Sequence, residues 1–217
     1  MKTPGPLYIV AAGTLAAAAY VYWSNMGASV VYTGDPYGGT DSTDSGGDTS
    51  SSFDFTDIGS SVSNLFTSVS SAVSDPNVQA FLAMIRRGEG TSGANGYRTL
   101  FGGGLFNDYS KHPNVAVTRG SLTSTAAGAY QILYRTWVEI AATYSLPDFS
   151  PGSQDIAAVA LIKRRGALAD VIAGRWQTAI AKCAKEWASL PGSPYGQPTI
   201  SMDTALAVIA ANGGVTA

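Results

Sequence analysis

One carboxylate stands apart in this 217-residue chain. Glu89, in the run IRRGEGTSGANGY (residues 85–97), lies between Gly88 and Gly90, just after a stretch with helical periodicity. A carboxylate at the C-terminal end of a helix faces the negative end of the macrodipole, which disfavours its ionised form. Shielding by apolar neighbours such as Phe81, Tyr130 or Trp137 would raise its pKa further, and a raised carboxyl pKa suits a general acid near neutral pH. The flanking glycines let the backbone turn and leave room for a bulky substrate. Position alone leaves a plainer alternative open, a solvated residue in a helix cap.

Other reactive groups are few. Cys183 and His112 are the single cysteine and the single histidine. They exclude an intrachain disulfide, a cysteine-rich metal site and a histidine-based metal cluster, so no metal or cofactor is expected. His112 is the one candidate base for a Ser-His-Asp arrangement, and beside Pro113 it reads more simply as a loop residue. Cys183 reads as a lone buried thiol.

Three segments must position these groups. Residues 1–23 contain an uncharged stretch, Leu7 to Trp23, closed by Tyr20, Tyr22 and Trp23. At about 1.5 Å per residue it spans roughly 26 Å, near the short limit for crossing a bilayer. A retained membrane anchor, a cleaved signal peptide with small residues at Ala17 to Ala19, and a helix buried among partner proteins all fit it. Lys2, the only positive flank, argues for a cytoplasmic N-terminus with the rest exported. Residues 24–75 form a Gly/Ser/Asp-rich linker. Within it, Ile58, Val62, Leu65, Phe66, Val69 and Val73 mark a short amphipathic helix whose partner surface is a membrane, a sister chain or the domain itself.

Charge divides the chain at the same place. Between Lys2 and Arg86 there is no basic residue and there are seven aspartates, whereas from Phe81 onward 12 Lys or Arg stand against 8 Asp or Glu. An acidic arm thus precedes a mildly basic domain, a balance that fits an anionic polymer such as a cell wall and calls for no nucleic acid.

Residues 76–217 read as that domain. Asp75-Pro76 signals a helix start, and Val78, Phe81, Leu82 and Ile85 give the helix its apolar face up to Gly88. From Tyr97 to about Thr123, aromatics, glycines and turn residues predict a small β-hairpin region. Helical periodicity returns over Ala127 to Tyr144, Gln154 to Val171, Trp176 to Trp187 and Met202 to Ala211. The expected class is α+β, with a small β lobe among helices.

The order of RRGEGT, LFNDYSKHP, STAAGAYQIL, FSPGSQDIAAV, RGAL and CAKEWASLPGSPYGQ resembles the phage lambda endolysin family, lysozyme-like lytic transglycosylases that cleave peptidoglycan. The resemblance runs from about Val78 to Gly214. It implies a lysozyme-like fold, with Glu89 of EGT as the acid that cleaves the β-1,4 bond between N-acetylmuramic acid and N-acetylglucosamine. The muramoyl C6 hydroxyl would then close on C1 to give a 1,6-anhydro product. An internal nucleophile explains how one acid suffices where ordinary glycosidases carry two carboxylates.

The resemblance also brings in binding candidates. Tyr130 and Gln131 in GAYQ, with Tyr195 and Gln197 in PYGQ, are suited to line the cleft, a ring on a sugar face and an amide on an acetamido or hydroxyl group. Ser124 and Thr125 either orient the acid or cap a helix starting near Ala126. Trp137, Trp176 and Trp187 read as core, and Lys163, Arg164 and Arg165 as a solvated helix face.

Asp108 in FNDYS is a possible second carboxylate. With water it would make the chain a muramidase-type hydrolase; otherwise it holds a turn by accepting hydrogen bonds. A non-catalytic virion or wall-binding component of the same fold is a further alternative. The loop after EGT, Ser92 to Asn95, is shorter than the family pattern, and residues 1–75 have no counterpart in the soluble lambda enzyme. They point to the inner membrane facing the host periplasm, or to virion proteins, with lysis and entry as the two roles.

Overall fold

The structure, a computed structural model, describes residues 68–217 apart from residue 121. The uncharged stretch over 7–23 and the spacer up to residue 67 lie outside the described residues. Among the described residues no helix is long and apolar enough to cross a membrane.

The described chain enters as a helical turn, residues 68–72, then breaks and restarts at Pro76. Asp75 is extended, and its side chain accepts from the backbone N–H groups of Asn77 (2.8 Å) and Val78 (3.2 Å), while Pro76 occupies the first turn, where a missing N–H costs nothing. Helix α1 (Pro76–Gly88) is therefore capped as its sequence signals. Val78, Ala80, Phe81, Leu82, Met84, Ile85 and Gly88 are all buried, which makes α1 the central helix of the domain. Val69 is fully buried in the same core, with Ala72 and Val73 packed against it. The end of the expected amphipathic segment thus docks on the domain itself, one of the three surfaces that its pattern allows.

After two 3-10 turns, Gly96–Arg98 and Phe101–Gly103, the β lobe consists of one antiparallel pair, β1 (Val117–Arg119) and β2 (Leu122–Ser124), in the register Val117–Ser124, Thr118–Thr123 and Arg119–Leu122. Single bridges, Thr99–Leu105, Leu100–Ala127 and Ala127–Ile132, join the lobe to the chain that follows. Helices α2 (Tyr134–Tyr144), α3 (Pro151–Arg164), α4 (Leu168–Ile172), α5 (Trp176–Cys183) and α6 (Met202–Ala211) complete the fold. Helix α1 packs most extensively on α6 and also meets α4 and α3, while α2 lies on α3 and α4 on α5. Phe81 stacks on Trp176 with ring centroids 6.4 Å apart.

Three helix boundaries differ from the periodicity. The apolar pattern predicts a helix from Ala127, yet α2 begins at Tyr134. Gly128 (φ 79°) and Gln131 (φ 46°) are left-handed, and residues 127–132 close a tight turn across the Ala127–Ile132 bridge. The buried Gln154 side chain holds that turn by accepting from Ala129 N–H at 2.9 Å, in space that a Cβ at residue 128 would fill. The run expected over Gln154 to Val171 is two helices parted at Gly166, with α3 starting earlier because Ser150 caps it. The run from Trp176 ends at Cys183 rather than Trp187, and the backbone then turns to bring Ser189 under α1.

Candidate active site

Helix α1 delivers Glu89 to its C-terminal cap, where the Glu89 N–H still donates to Ile85 O at 2.9 Å. The side chain points inward and is only 2% exposed. Its Oε1 accepts from the Ser189 hydroxyl at 2.7 Å, and its Oε2 has no hydrogen-bond partner. Burial pushes the Glu89 pKa up from 4.5 to about 7, and the Ser189 hydrogen bond pulls the other way without cancelling it. The dominant cause is thus loss of water rather than the helix dipole alone.

Gly88 has a different use from the one its position suggests. A Cβ there would lie 2.6 Å from the Ser189 hydroxyl oxygen, so the glycine makes room for the residue that holds the acid rather than for a ligand. Gly90 (φ 71°) takes the left-handed turn that ends the helix. Thr91 fixes the next step by donating its hydroxyl to Ala129 O, which ties the EGT turn to the loop carrying Tyr130 and Gln131.

Glu89 opens onto a cleft of about 300 Å³, lined also by Tyr130, Gln131, Leu133, Trp187 and Tyr195. Three sequence candidates, Tyr130, Gln131 and Tyr195, therefore meet the acid there. Gln131 is 5% exposed, and its amide nitrogen donates to Thr99 O (3.1 Å) and Gly128 O (3.0 Å). Two carbonyl partners fix the amide orientation and leave Oε1 buried and unpartnered. Two residues of the cleft wall thus each keep one buried oxygen without a protein partner, an acid's and an amide's, the second suited to accept an N–H or O–H.

Tyr130 plays another part than a sugar platform. Its ring is 1% exposed, its hydroxyl donates to Asp155 Oδ1, and its carbonyl accepts from the Trp187 indole N–H at 3.2 Å. The Tyr97 hydroxyl reaches the same Asp155 oxygen at 2.8 Å, and the Arg86 guanidinium lies 4.8 Å over the Tyr97 ring. Burial pushes the Asp155 carboxyl up, while the two tyrosine hydroxyls and Arg86 pull it back. This network braces the cleft wall from behind.

The other candidates fall elsewhere. Ser124 is buried, accepts from Ala126 N–H at 3.0 Å and does not line the cleft. Thr125 caps a helix, although a later one than expected, by accepting from Tyr134 N–H at 3.2 Å. Gln197 follows Tyr195 on the same loop but is not part of the cleft wall. Asp108 is exposed and away from the cleft, with Oδ1 accepting from Ser110 N–H and Oδ2 from the Ser110 hydroxyl, both at 2.8 Å. These bonds hold its pKa below the usual carboxylate range.

His112 lies in a loop, as its place beside Pro113 suggests, and its ring is buried there. Its Nδ1 accepts from Asn114 N–H at 3.1 Å, so Nε2 carries the proton and donates to Ile132 O at 2.9 Å. Burial pushes its pKa down to about 4, and Phe149 and Trp137 pack around the neutral ring. Among the described residues no cluster of His, Cys, Asp or Glu could hold a metal ion.

Sequence reasoning missed Ser189 and Asp155. Ser189 lies 100 positions from Glu89, and nothing in its local pattern separates it from other serines. Asp155 carried a faint signal as the one acid of its helix, directly before the apolar run Ile156 to Ile162.

Comparison with known proteins decides the family. The family model described as Endolysin matches residues 79–216. This chain belongs to the endolysin family. It is 42% identical to the endolysin of Escherichia phage P2 over 158 aligned residues, covering 65% of this chain and 95% of that protein. It is 43% identical to the endolysin of Escherichia phage lambda over 143 residues, covering 63% of this chain and 90% of the relative. Among solved structures, bacteriophage lambda lysozyme complexed with a chitohexasaccharide superposes with a TM-score of 0.63 at 41% identity, covering 65% of this chain and 97% of the other. A second structure of the lambda lysozyme gives a TM-score of 0.58 at the same identity. The fold is that of lambda lysozyme, helices around a small two-stranded sheet, and the matched family region takes in both Glu89 and Ser189.

Proposed function

We propose that this endolysin is a peptidoglycan lytic transglycosylase with Glu89 as its only acid. The single observation that carries the reading is the state of that carboxyl. It is buried in the wall of a cleft, its pKa is near neutrality, and one of its oxygens has no protein partner. The glycan bound by the lambda lysozyme supports a polymer of β-1,4-linked N-acetyl sugars as substrate.

Proton on Oε2, Glu89 donates to the glycosidic oxygen as the bond from C1 breaks. Ser189 keeps Oε1 as the accepting oxygen, which directs the proton to the oxygen without a partner. The resulting carboxylate takes the proton of the muramoyl C6 hydroxyl as that oxygen bonds to C1. Glu89 ends reprotonated, no water is consumed, and the products are a free 4-hydroxyl and a 1,6-anhydro sugar.

The hydrolytic alternative consumes a water and needs a second carboxylate to activate it or to act first as nucleophile. Besides Glu89, Glu139 and Glu186 line the cleft. Glu186 is paired with Arg164 and Arg165, and Glu139 with Arg135. Asp108 has both oxygens engaged by Ser110. Mass spectrometry of the products separates the two mechanisms: anhydro-muropeptides are expected, and products heavier by one water would refute the transglycosylase step.

Delivery to the wall rests on residues 1–75. The uncharged stretch over 7–23 supports an inner-membrane partner, with virion proteins as the competing one. Detection only in late infected cells is the outcome expected for a lysis enzyme, whereas detection in purified particles would assign it to entry.

A further inference from the structure

The cleft continues onto a ridge of fixed positive charge. Arg164 and Arg165, at the end of α3, both bond to one carboxylate, Glu186, at 2.9 and 2.7 Å. The Glu186 side chain is 10% exposed and Arg164 is 40% exposed, so the acid is engaged from within and holds two adjacent guanidiniums with donors to spare. Arg165 also donates to the Lys185 carbonyl at 3.2 Å, and the Tyr195 hydroxyl reaches the same carbonyl at 2.9 Å, which joins the ridge to the cleft wall. The exposed Lys185 ammonium makes no ion pair among the described residues.

Arg164, Arg165 and Lys185 face two ways. They line the Glu89 cleft, and they also line a second, open depression completed by Lys182, Gln177 and Thr178, where no carboxylate forms part of the wall. Acids nearby offset only part of this charge. Glu139, 50% exposed, lies 3.7 Å from Arg164 but is also paired with Arg135, and Asp170, which meets Lys182, is shared with Arg175.

A glycan of N-acetyl sugars is uncharged along its backbone, so the sugars in the cleft give the remaining charge nothing to meet. In peptidoglycan the negative charge sits on the peptide stems, which branch from the lactyl ether of each muramoyl unit and carry free carboxylates. We infer that Arg164, Arg165, Lys182 and Lys185 form a subsite for carboxylates of the peptide stem on the strand being cleaved. The inference rests on the peptidoglycan reading above. Continuity with the Glu89 cleft favours a branch of the substrate over a separate anionic surface, because the same three side chains border both.

The test compares intact peptidoglycan with peptidoglycan whose free stem carboxylates have been capped as neutral amides by carbodiimide coupling, using the full chain. For the parent, kcat/KM is expected to be about tenfold higher on intact wall, the scale of a few charge-assisted contacts at an exposed site. That preference should shrink as salt rises from about 50 to about 300 mM, as screening requires. Arg164→Gln combined with Lys185→Gln should abolish most of the preference. Lys182→Gln, which leaves both arginines on Glu186, should reduce it by a smaller factor.

A parent that cleaves both substrates equally well overturns the subsite. So does a preference that is insensitive to salt and to Lys182→Gln, or a ridge needed only for binding to anionic phospholipid vesicles. A parent that cleaves neither substrate refutes the glycosidase reading itself, a result distinct from all of these.

Discussion

Glu89 at the end of α1 and Asp108 in the β lobe are the same functional group in opposite surroundings. Glu89 is 2% exposed, has one hydroxyl donor, and its pKa is raised to about 7. Asp108 is exposed, takes a backbone N–H and a hydroxyl from Ser110, and its pKa is lowered. Water and donors stabilise the charge in one place, and their scarcity destabilises it in the other. A carboxyl is made into an acid for neutral pH chiefly by what is withheld from it. Asp155 lies between the extremes, since burial raises it while two tyrosine hydroxyls pull it back.

The contrast is broken most directly at Glu89. Glu89→Gln is expected to lower peptidoglycan cleavage by about a thousandfold or more, because the other cleft carboxyls among the described residues are held by arginines. A turbidity assay on purified sacculi checks this, and parent-like activity would end the assignment. The same variant carries a stability signature. The carboxyl titrates near 4.5 when unfolded and near 7 when folded. Between those values the native state holds the extra proton, so its stability falls as pH rises from about 4.5 to about 7 and is level beyond. The glutamine variant avoids that loss and should exceed the parent at pH 8 by up to about 3 kcal/mol. Denaturant melts at pH 4 and pH 8 read the difference, and equal gaps at both would show that Glu89 has an ordinary pKa.

Activity of the parent should follow the protonated form. Its profile is expected to drop about tenfold per pH unit above the folded pKa near 7, on substrate held at constant ionic strength. Ser189→Ala sharpens the comparison by removing the one donor Glu89 has. Its absence favours the protonated form, so the alkaline limb should move up by about one unit, with only a few-fold change in kcat at neutrality. Ser189→Cys, which keeps a weak donor, should move it less. A limb that does not move would mean that Ser189 has only a packing role.

Asp108→Asn should change cleavage by no more than about twofold, since an exposed carboxylate bonded to its own turn takes no part in the chemistry. A loss of about a hundredfold or more would restore the two-carboxylate mechanism.

The legible parts of this molecule were those with local causes. Asp75-Pro76 announced α1, and the capping geometry matches it. The spacing of Val78, Phe81, Leu82 and Ile85 announced a buried face, and all four are buried. The apolar residues of the turn over 127–132 mimic helical spacing, while Gly128, Gln131 and the distant Gln154 impose another backbone. Tyr130 and Gln131 line the cleft with Glu89, but which groups hold the ring and the amide was not readable. Asp155 claims the tyrosine hydroxyl, and Thr99 with Gly128 claims the amide nitrogen.

Local signals were enough to place the acid at the end of a capped apolar helix followed by a left-handed glycine, because they act over a few residues. That this acid is dry, that Ser189 engages one of its oxygens and that its other oxygen is left without a protein partner in the cleft wall follow from the tertiary packing. Desolvation depends on every element that closes over the side chain, and a hydrogen bond across 100 positions exists only once the whole core has formed.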